Sequence, residues 1–355
     1  MIKTINVTVG GTSLAPRSCA GTAERRRISS DKHTIPGETL SGILKGQFDH
    51  LSETLGRDRV LADHPVGPYT TFNIGGPADA FYEATSAEEL AGAIVLARNA
   101  DLPFFVLGLG ANILLGDKGF RGLVIRNAAK RVSVSEEGIL EAESGAVFWP
   151  DVINIAIDLG WSGLEHYAGI PSTVGGALWQ NLHFLSPAPG RERTMFLEEV
   201  VLDAHILSPD NIRRRVTADY FNFGYDQSII QHSGDIVLIA RFQLKKADSE
   251  TMRRITKENI EWRSTRHPPL DTEPSAGSIF KKIEGIGAGR LIDECGLKGT
   301  RKGGIEITHR HANIMINRGG ATAQDVLSMI EFVVKTVQEQ KGYVLEPEIA
   351  FIGEF

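Results

Sequence analysis

GLEHYAGIPSTVGGALWQN, residues 163–181, is the stretch that decides the fold of this chain, since it predicts a turn, a short helix and a surface of bare backbone. Pro171 fixes its own backbone φ angle and restricts the residue before it, so the entry to the helix is stiff. Gly175 and Gly176 then leave main-chain N–H groups with no side chain in front of them. Such a surface suits an anion or a flat cofactor, although a lone Gly-Gly pair more often marks a tight packing turn.

Two glycine clusters upstream of this stretch favour a ligand over a packing turn. The first is Gly75-Gly76, and the second is GLGANILLGD at residues 108–117. The second cluster is not the dinucleotide fingerprint G-x-G-x-x-G, because Ile113 occupies the place of the third glycine. Successive backbone N–H groups in such a loop can still hold a pyrophosphate.

The composition excludes several classes of function. Hydrophobic residues make up 42% of the 355 residues, and the formal net charge of −6 provides no basic field for nucleic acid. Cys19 and Cys295 are the only cysteines, and they fit neither a disulfide framework nor the spacing of a zinc site. No apolar run approaches the roughly 18 residues of a membrane helix, and no secretory signal is recognisable. We therefore expect a cytoplasmic protein that binds no metal and no nucleic acid and does not insert into a membrane.

Hydrophobic periodicity predicts strands and helices throughout residues 42–353. Strands are predicted at residues 78–83, 103–107, 122–126, 132–134, 139–143, 200–207 and 236–244, and helices at residues 42–55, 87–97, 151–159, 251–262 and 323–341. The strand–helix–strand unit of residues 78–107 favours a parallel strand pair with a right-handed crossover. Residues 182–199 are interpreted as a loop. Residues 1–40 predict a loosely held tail, disordered in part, with an organelle transit peptide as the weaker alternative.

Side-chain patterns within these elements predict caps and buried faces. Ser86 and Glu89 have the spacing of a capping box. The buried faces predicted for two helices consist of Val152, Ile155, Ala156 and Leu159 in the first and Val326, Met329, Ile330, Val333 and Val337 in the second. Strand alternation after Gly342 would place Glu346 and Glu348 on one face.

Seven motifs, taken in order along residues 60–355, resemble the UDP-N-acetylenolpyruvoylglucosamine reductase family. They are TTFNIGG at 70–76, LGLGANILLGD at 107–117, AGIPSTVGGA at 168–177, FGY at 223–225, SAGSIFK at 275–281, HAN at 311–313 and LEPEIAFIG at 345–353. Each motif alone is weak, but seven in the family's order make a specific signal. The tail before residue 40 lies outside the resemblance.

The resemblance implies an α+β fold with a non-covalently bound FAD. An FAD-binding fold of the vanillyl-alcohol-oxidase type would comprise two α+β subdomains, residues 41–106 and 107–246, followed by a C-terminal α+β substrate-binding domain at residues 247–355. The implied FAD-binding residues are Asn73, Gly75, Gly76, Gly108, Gly110, Ala111, Asn112, Ser172, Thr173, Gly175 and Gly176. A covalent flavin link through the nearby His183 stays open.

The family's reaction is the NADPH-dependent reduction of UDP-N-acetylglucosamine enolpyruvate to UDP-N-acetylmuramate, a step of peptidoglycan and cell-wall synthesis. NADPH as co-substrate reduces the FAD, and a hydride and a proton are then added to the enolpyruvyl group. The resemblance implies Ser278 as the proton source and Glu348 as the group that stabilises the enolate. Tyr225 and Lys281 would bind the substrate.

Three departures from the family pattern place this chain in a divergent branch, and the short segment between residues 200 and 245 favours the compact subtype of the family. Asp226 stands where many relatives have an arginine that polarises the substrate carboxylate, and Lys282-Ile283 stands where Asn-Pro is common. The loop after residue 181 also differs. Because the reaction needs a cation, Arg191 or Arg193 of that loop is the candidate replacement for the missing arginine.

Two alternative functions follow from the same residues. One is an FAD-dependent oxidase of the same fold acting on another alcohol or sugar. The other is a flavin-binding protein without turnover, which the acidic residue at position 226 motivates. For the reductase we expect a monomer or a weak dimer with a nucleotide sugar and NADPH as its small-molecule partners.

Overall fold

The computed structural model describes residues 39–40, 43–187, 189–283 and 285–355. The predictions for the tail at residues 1–38, including Cys19, lie outside the described residues. Helices and runs of consecutive strands both occur along the rest of the chain, and this mixed content fits the predicted α+β class.

The helices begin at capping residues or follow directly on strands and turns. In chain order the α-helices are α1 (Lys45–Leu55), α2 (Ala87–Asn99), α3 (Ile153–Asp158), α4 (Val174–Trp179), α5 (Ile230–Ser233), α6 (Ser249–Ser264), α7 (Ala288–Glu294) and α8 (Ala323–Lys341). Short 3-10 turns lie at Gly67–Tyr69, Glu165–Tyr167, Leu197–Glu199 and Ala218–Phe221, and a π turn at Phe148–Val152 leads into α3.

The strands form several small sheets and two larger ones. In chain order they are β1 (Thr39–Leu40), β2 (Ile43–Leu44), β3 (Val60–Pro65), β4 (Pro77–Ala84), β5 (Phe104–Leu107), β6 (Ile113–Leu115), β7 (Phe120–Asn127), β8 (Val132–Val134), β9 (Ile139–Glu143), β10 (Trp161–Ser162), β11 (His183–Ser186), β12 (Arg193–Phe196), β13 (Val201–Leu207), β14 (Arg213–Thr217), β15 (Ile236–Gln243), β16 (Lys245–Lys246), β17 (Arg301–Lys302), β18 (Ile305–Ile307), β19 (Met315–Asn317) and β20 (Ala350–Ile352).

The first large sheet has the order β3-β4-β7-β5. Strands β4 and β5 are parallel, as predicted, but they are not direct neighbours, because β7 lies between them and pairs with both. The predicted capping box of α2 is only half formed. Ser86 Oγ accepts from Glu89 N. The Glu89 carboxylate instead accepts hydrogen bonds from Thr85 N and from both terminal guanidinium nitrogens of Arg59.

The second large sheet, in the order β14-β13-β15-β9-β8, covers the core of the middle of the chain. The predicted buried face of the helix at residues 151–159 was half wrong. Val152 and Ala156 are buried, but Ile155 and Leu159 are 37% and 51% exposed. The π turn before α3 rotates the helix, so Ile153 and Ile157 take the inward positions instead. Helix α6 packs on the same core through Met252, and the domain boundary predicted near residue 247 stays a prediction.

Residues 182–199 are not a plain loop, because β11 and β12 form an antiparallel hairpin there. Phe184 and Ser186 are buried while Leu185 between them is 42% exposed, which is strand alternation. Ser186, the polar one of the two buried residues, forms a hydrogen bond between its hydroxyl group and His166 Nδ1 at 2.9 Å. The sequence pattern therefore lacks the alternation of apolar residues that predicts a strand.

Helix α8 and the strands β17–β19 build the core of the C-terminal part. The predicted stripe of α8 is confirmed, since all five of its side chains are buried. The predicted strand after Gly342 is shorter than expected, because only β20 is regular. Glu346 and Glu348 do not share a surface: the Glu346 side chain is exposed beside Lys281, whereas Glu348 faces a cavity.

Replacing Ile330 by alanine should lower the free energy of unfolding by about 2–5 kcal/mol, because the side chain is fully buried in α8. Urea titration of both proteins measures the difference. The matched control is Lys335→Ala on the exposed face of the same helix, which should change stability by less than about 0.5 kcal/mol. Equal effects of the two substitutions would contradict the inward position of Ile330.

Candidate active site

A large cavity runs between the glycine clusters and the C-terminal part of the chain. Its volume is about 1840 Å³, which exceeds the roughly 300–1,000 Å³ of a typical site for one small molecule. Its walls come from residues 105–113, 169–182, 225–237, 260–285 and 347–352, among others. The cavity therefore has room for a cofactor and a substrate together.

Two of the three glycine clusters line this cavity. The lining residues among the predicted FAD-binding set are Gly108, Gly110, Ala111, Asn112, Ser172, Thr173, Gly175 and Gly176. A Cβ atom on Gly108 would lie 2.9 Å from Thr173 Oγ1, and one on Gly110 would lie 2.8 Å from Thr70 Cα. Gly110 also has a φ of +61°, which side chains disfavour. The loops thus approach each other with bare backbone on the wall, the surface that a dinucleotide pyrophosphate fits.

The first glycine cluster serves the packing of the chain. Asn73, Gly75 and Gly76 are absent from the described wall of the cavity. A Cβ atom on Gly75 would lie 2.4 Å from Leu115 Cδ2, and one on Gly76 would lie 2.2 Å from the Asp117 carbonyl oxygen. The close approach that the sequence indicated at this cluster is therefore an approach to the chain itself.

Helix α4 receives its orientation from the opening stretch of the sequence. Thr173 caps it by accepting from Gly176 N at 3.2 Å. Gly175 N donates to the Ser144 carbonyl oxygen at 2.7 Å, so this N–H is not free for a ligand. The bare backbone near Ser172 and Gly176 remains on the wall.

Ser278 and Glu348 are brought together by main-chain pairing of their two segments. Phe280 and Pro347 form an antiparallel bridge, and Glu348 N donates to the Ile279 carbonyl oxygen at 2.8 Å. Both Ser278 and Glu348 line the cavity. The structure thus unites two residues that are 70 positions apart (348 − 278) on one wall.

The HAN motif holds the serine-bearing segment in place. Asn313 is buried and makes two side-chain hydrogen bonds with Phe280, donating to its carbonyl oxygen at 2.8 Å and accepting from its N–H at 2.9 Å. Thr71 ties the same segment to the second glycine cluster, because its Oγ1 donates to the Ser275 carbonyl oxygen at 2.7 Å and its N–H donates to the Gly110 carbonyl oxygen at 3.2 Å. Ser278 is therefore held by a network that reaches the FAD-side loops.

Burial controls the protonation of the carboxyl groups at this wall. It raises the pKa of Glu348 to about 8, with a further contribution from the negative charge of Asp226 and an opposing one from Lys281. Burial also raises the pKa of Asp226, which the nearby His183 partly offsets. Glu348 is consequently a carboxylic acid at neutral pH and can donate a hydrogen bond.

The predicted substrate-binding residues Tyr225 and Lys281 both line the cavity. The Tyr225 ring is 50% exposed and lies 4.3 Å from the His183 ring, measured between centroids. Lys281 Nζ is 3.2 Å from Glu346 Oε2. His183 itself is absent from the described wall, so its contact with the site runs through Tyr225.

The structure does not bring Arg191 or Arg193 to the described wall. Arg191 stacks on Trp262 and donates to main-chain carbonyl oxygens of Leu185 and Glu258. Arg193, the first residue of β12, pairs with Glu199, which follows that strand. Both guanidinium groups are engaged in holding β11 and β12, so neither fills the place of a missing cation.

Sequence reasoning missed a basic group on another part of the wall. Arg263, Arg310 and His267 line the cavity. Burial lowers the pKa of Arg263 to about 10 and that of His267 to about 3, so the histidine is neutral. The only sequence signal for these residues is the His267-Pro-Pro break after α6, which marks an end of a helix rather than a ligand.

Within the described ranges, no helix has the length and apolar composition to span a membrane, and no group of three or more potential ligands could hold a metal ion.

Comparison with known proteins finds similar sequences and similar solved structures. Family models for an FAD binding domain and for the C-terminal domain of UDP-N-acetylenolpyruvoylglucosamine reductase match residues 78–212 and 268–352. Enzymes named UDP-N-acetylenolpyruvoylglucosamine reductase from Alkaliphilus oremlandii and Rubrobacter xylanophilus are 36% and 39% identical, covering 86% and 82% of this chain and 98% and 95% of their own lengths. The crystal structure of UDP-N-acetylenolpyruvylglucosamine reductase from Thermus caldophilus has 32% identity and a TM-score of 0.67, covering 82% of this chain and 98% of its own. The predicted α+β fold with an FAD-binding domain is confirmed.

Replacing Gly110 by alanine should lower the FAD content of the purified protein and its stability by about 1–3 kcal/mol, because the residue has a left-handed conformation and touches Thr70. Absorbance at the flavin bands and urea titration measure both effects. The matched control is Gly92→Ala in α2, where nothing lies within 4 Å, which should keep the flavin and gain up to about 1 kcal/mol. Full FAD content in Gly110→Ala would argue against this loop as part of the site.

Proposed function

Because the chain belongs to the UDP-N-acetylenolpyruvoylglucosamine reductase family, we propose that Ser278 and Glu348 carry the substrate half of its reaction. The chain is an FAD-containing oxidoreductase that reduces UDP-N-acetylglucosamine enolpyruvate to UDP-N-acetylmuramate with NADPH, in peptidoglycan precursor synthesis. The single observation that supports the residue assignment is the convergence of both side chains on the cavity that the glycine loops line.

The glycine loops are proposed to hold the cofactor without a covalent bond. Bound FAD supplies hydride transfer between NADPH and the substrate. The N–H groups of residues 108–112 would bind its pyrophosphate, and the small side chains of residues 172–176 would lie against it, since the N–H groups of Gly175 and Gly176 are already hydrogen-bonded within the chain. Residues of the C-terminal part line the same cavity. The assignment of Asn73, Gly75 and Gly76 to the cofactor has no support from their positions, so we leave them out of the proposed site.

Glu348 and Ser278 have separate roles in this proposal. Addition of a hydride beside a carboxylate builds negative charge on that carboxylate, and a neutral Glu348 can donate a hydrogen bond to it. Ser278 would deliver the proton to the neighbouring carbon. A serine hydroxyl is a weak acid, so its position against the substrate, fixed through Phe280 and Asn313, matters more than its acidity.

The remaining predictions have different support. Tyr225 and Lys281 stay in the proposed substrate site, because both line the cavity. The division into residues 41–106, 107–246 and 247–355 and the monomeric or weakly dimeric state stay predictions.

Replacing Ser278 by alanine should slow the reduction of the enolpyruvyl nucleotide sugar by about 10²–10⁴-fold, since no proton donor remains at that place. Stopped-flow absorbance would follow flavin reduction by NADPH and flavin reoxidation by the substrate separately. The first step should stay within about twofold of the wild type. Ser328→Ala on the partly exposed face of α8, outside the cavity wall, is the control. Normal turnover of Ser278→Ala would show that another group delivers the proton, and absence of turnover in the wild type would contradict the function itself.

The pH dependence of kcat/KM should report the acid form of Glu348. Because the pKa of Glu348 is raised to about 8, activity that needs the protonated carboxyl group is present below that pH and is lost as the pH rises through it. Glu348→Gln, which keeps a hydrogen-bond donor, should abolish this fall of kcat/KM with rising pH. Glu346→Gln, two residues away and exposed, should leave the fall in place. If kcat/KM of Glu348→Gln still falls near the same pH, the titrating group is a different one.

A further inference from the structure

The proposed reaction needs a cation beside Ser278 and Glu348, and the charges on the cavity wall identify one. The described lysines and arginines on this wall are Arg263, Lys281, Lys282 and Arg310. Three of them already have polar partners. Arg263 Nε donates to the Gly169 carbonyl oxygen, Lys281 pairs with Glu346, and Arg310 Nη1 donates to the Ser264 carbonyl oxygen.

Lys282 differs from the other three cations in having no polar partner among the described residues. Among the described residues its ammonium group has no hydrogen-bond or ion-pair partner, and it lies 5.8 Å from the centroid of the Tyr225 ring. A contact with an aromatic face attracts a cation without neutralising its charge. The three N–H donors of the ammonium group therefore stay free for an anion.

The position of Lys282 follows from the same main-chain pairing that builds the site. It lies four positions after Ser278 (282 − 278). Lys281 N, next to it, donates to the Glu346 carbonyl oxygen at 2.9 Å, so the two segments are still paired at this point. Ser278, Lys282 and Glu348 therefore belong to one paired unit of the wall.

The hairpin of β11 and β12 fixes the platform under Lys282. The Tyr225 ring contacts the rings of His183 and Phe196, with centroid distances of 4.3 and 6.2 Å. Tyr225 precedes Asp226 in a tight turn closed by hydrogen bonds between Gly224 and Gln227. The hairpin residues thus set where the lysine side chain rests.

The neighbouring acids leave the charge of Lys282 available at neutral pH. Glu348 is protonated there because its pKa is raised to about 8. Asp226 has its nearest described basic partner in His183, with 3.8 Å between Asp226 Oδ1 and His183 Nδ1. A neutral acid and an unpaired ammonium group together form a donor set for one carboxylate.

We propose that Lys282 binds the carboxylate of the enolpyruvyl substrate, with the Tyr225 ring as its platform. The inference rests on the proposed function, since it assigns the anion to that substrate. It makes Lys282 a catalytic residue that touches the group on which negative charge develops. His183 acts through Tyr225 and is a positioning residue.

The test compares two ligands that differ at the carboxylate. UDP-N-acetylmuramate carries a lactyl carboxylate and UDP-N-acetylglucosamine carries none, while both have the same diphosphate. Isothermal calorimetry with the flavin-loaded protein would give the dissociation constants for wild type, Lys282→Met and Lys282→Arg, with Lys335→Met on α8 as the control. Lys282→Met should weaken UDP-N-acetylmuramate binding by about 10–100-fold, leave UDP-N-acetylglucosamine within twofold, and be largely rescued by arginine.

Each other outcome overturns the assignment. Equal weakening of both ligands would place Lys282 at the diphosphate or at another shared group, and no change for either would remove Lys282 from the ligand site while the family activity stands. Failure of the wild type to bind either nucleotide sugar would contradict the proposed function, and this inference with it.

Discussion

The site depends on one strand pairing, the parallel contact of β20 with β6. Ala350, Phe351 and Ile352 are in register with Ile113, Leu114 and Leu115, which lie within the second glycine cluster. Ala350 N donates to the Asn112 carbonyl oxygen at 3.0 Å. Glu348 lies two positions before this contact, so the pairing determines how far the acid stands from the loop that faces the cofactor.

Local sequence patterns predicted those helices and strands whose buried side chains recur at the regular spacing of the element. The α8 stripe is an example, because a face that packs on one core keeps the helical period. The hairpin of β11 and β12 could not be predicted in this way, since Ser186 is buried for a hydrogen bond with His166 and breaks the apolar alternation. The position of β7 between β4 and β5 depends on which strands pair with each other, and local sequence patterns do not predict strand partners.

In the candidate site too, sequence motifs identified some residues, whereas their neighbours in space could not be predicted. The motifs identified Ser278 and Glu348, and the loops at Gly108 and Gly175 that line the cavity with them. A glycine shows that something approaches the backbone, but not whether it is a ligand or Leu115, which is what lies against Gly75. The need for a cation likewise says nothing about its place. Arg191 was a candidate for that cation from the sequence, but in the folded chain its guanidinium group stacks on Trp262.

The pairing of β20 with β6 also has a consequence for biosynthesis. The two strands are separated by 237 positions (350 − 113), so the loop at Asn112 leaves the ribosome long before its partner strand exists. Strand β6 therefore lacks its β20 partner while more than two hundred further residues are translated. Contacts of such long range slow folding, so the pairing of this loop with β20 is among the last contacts of the nascent protein to form.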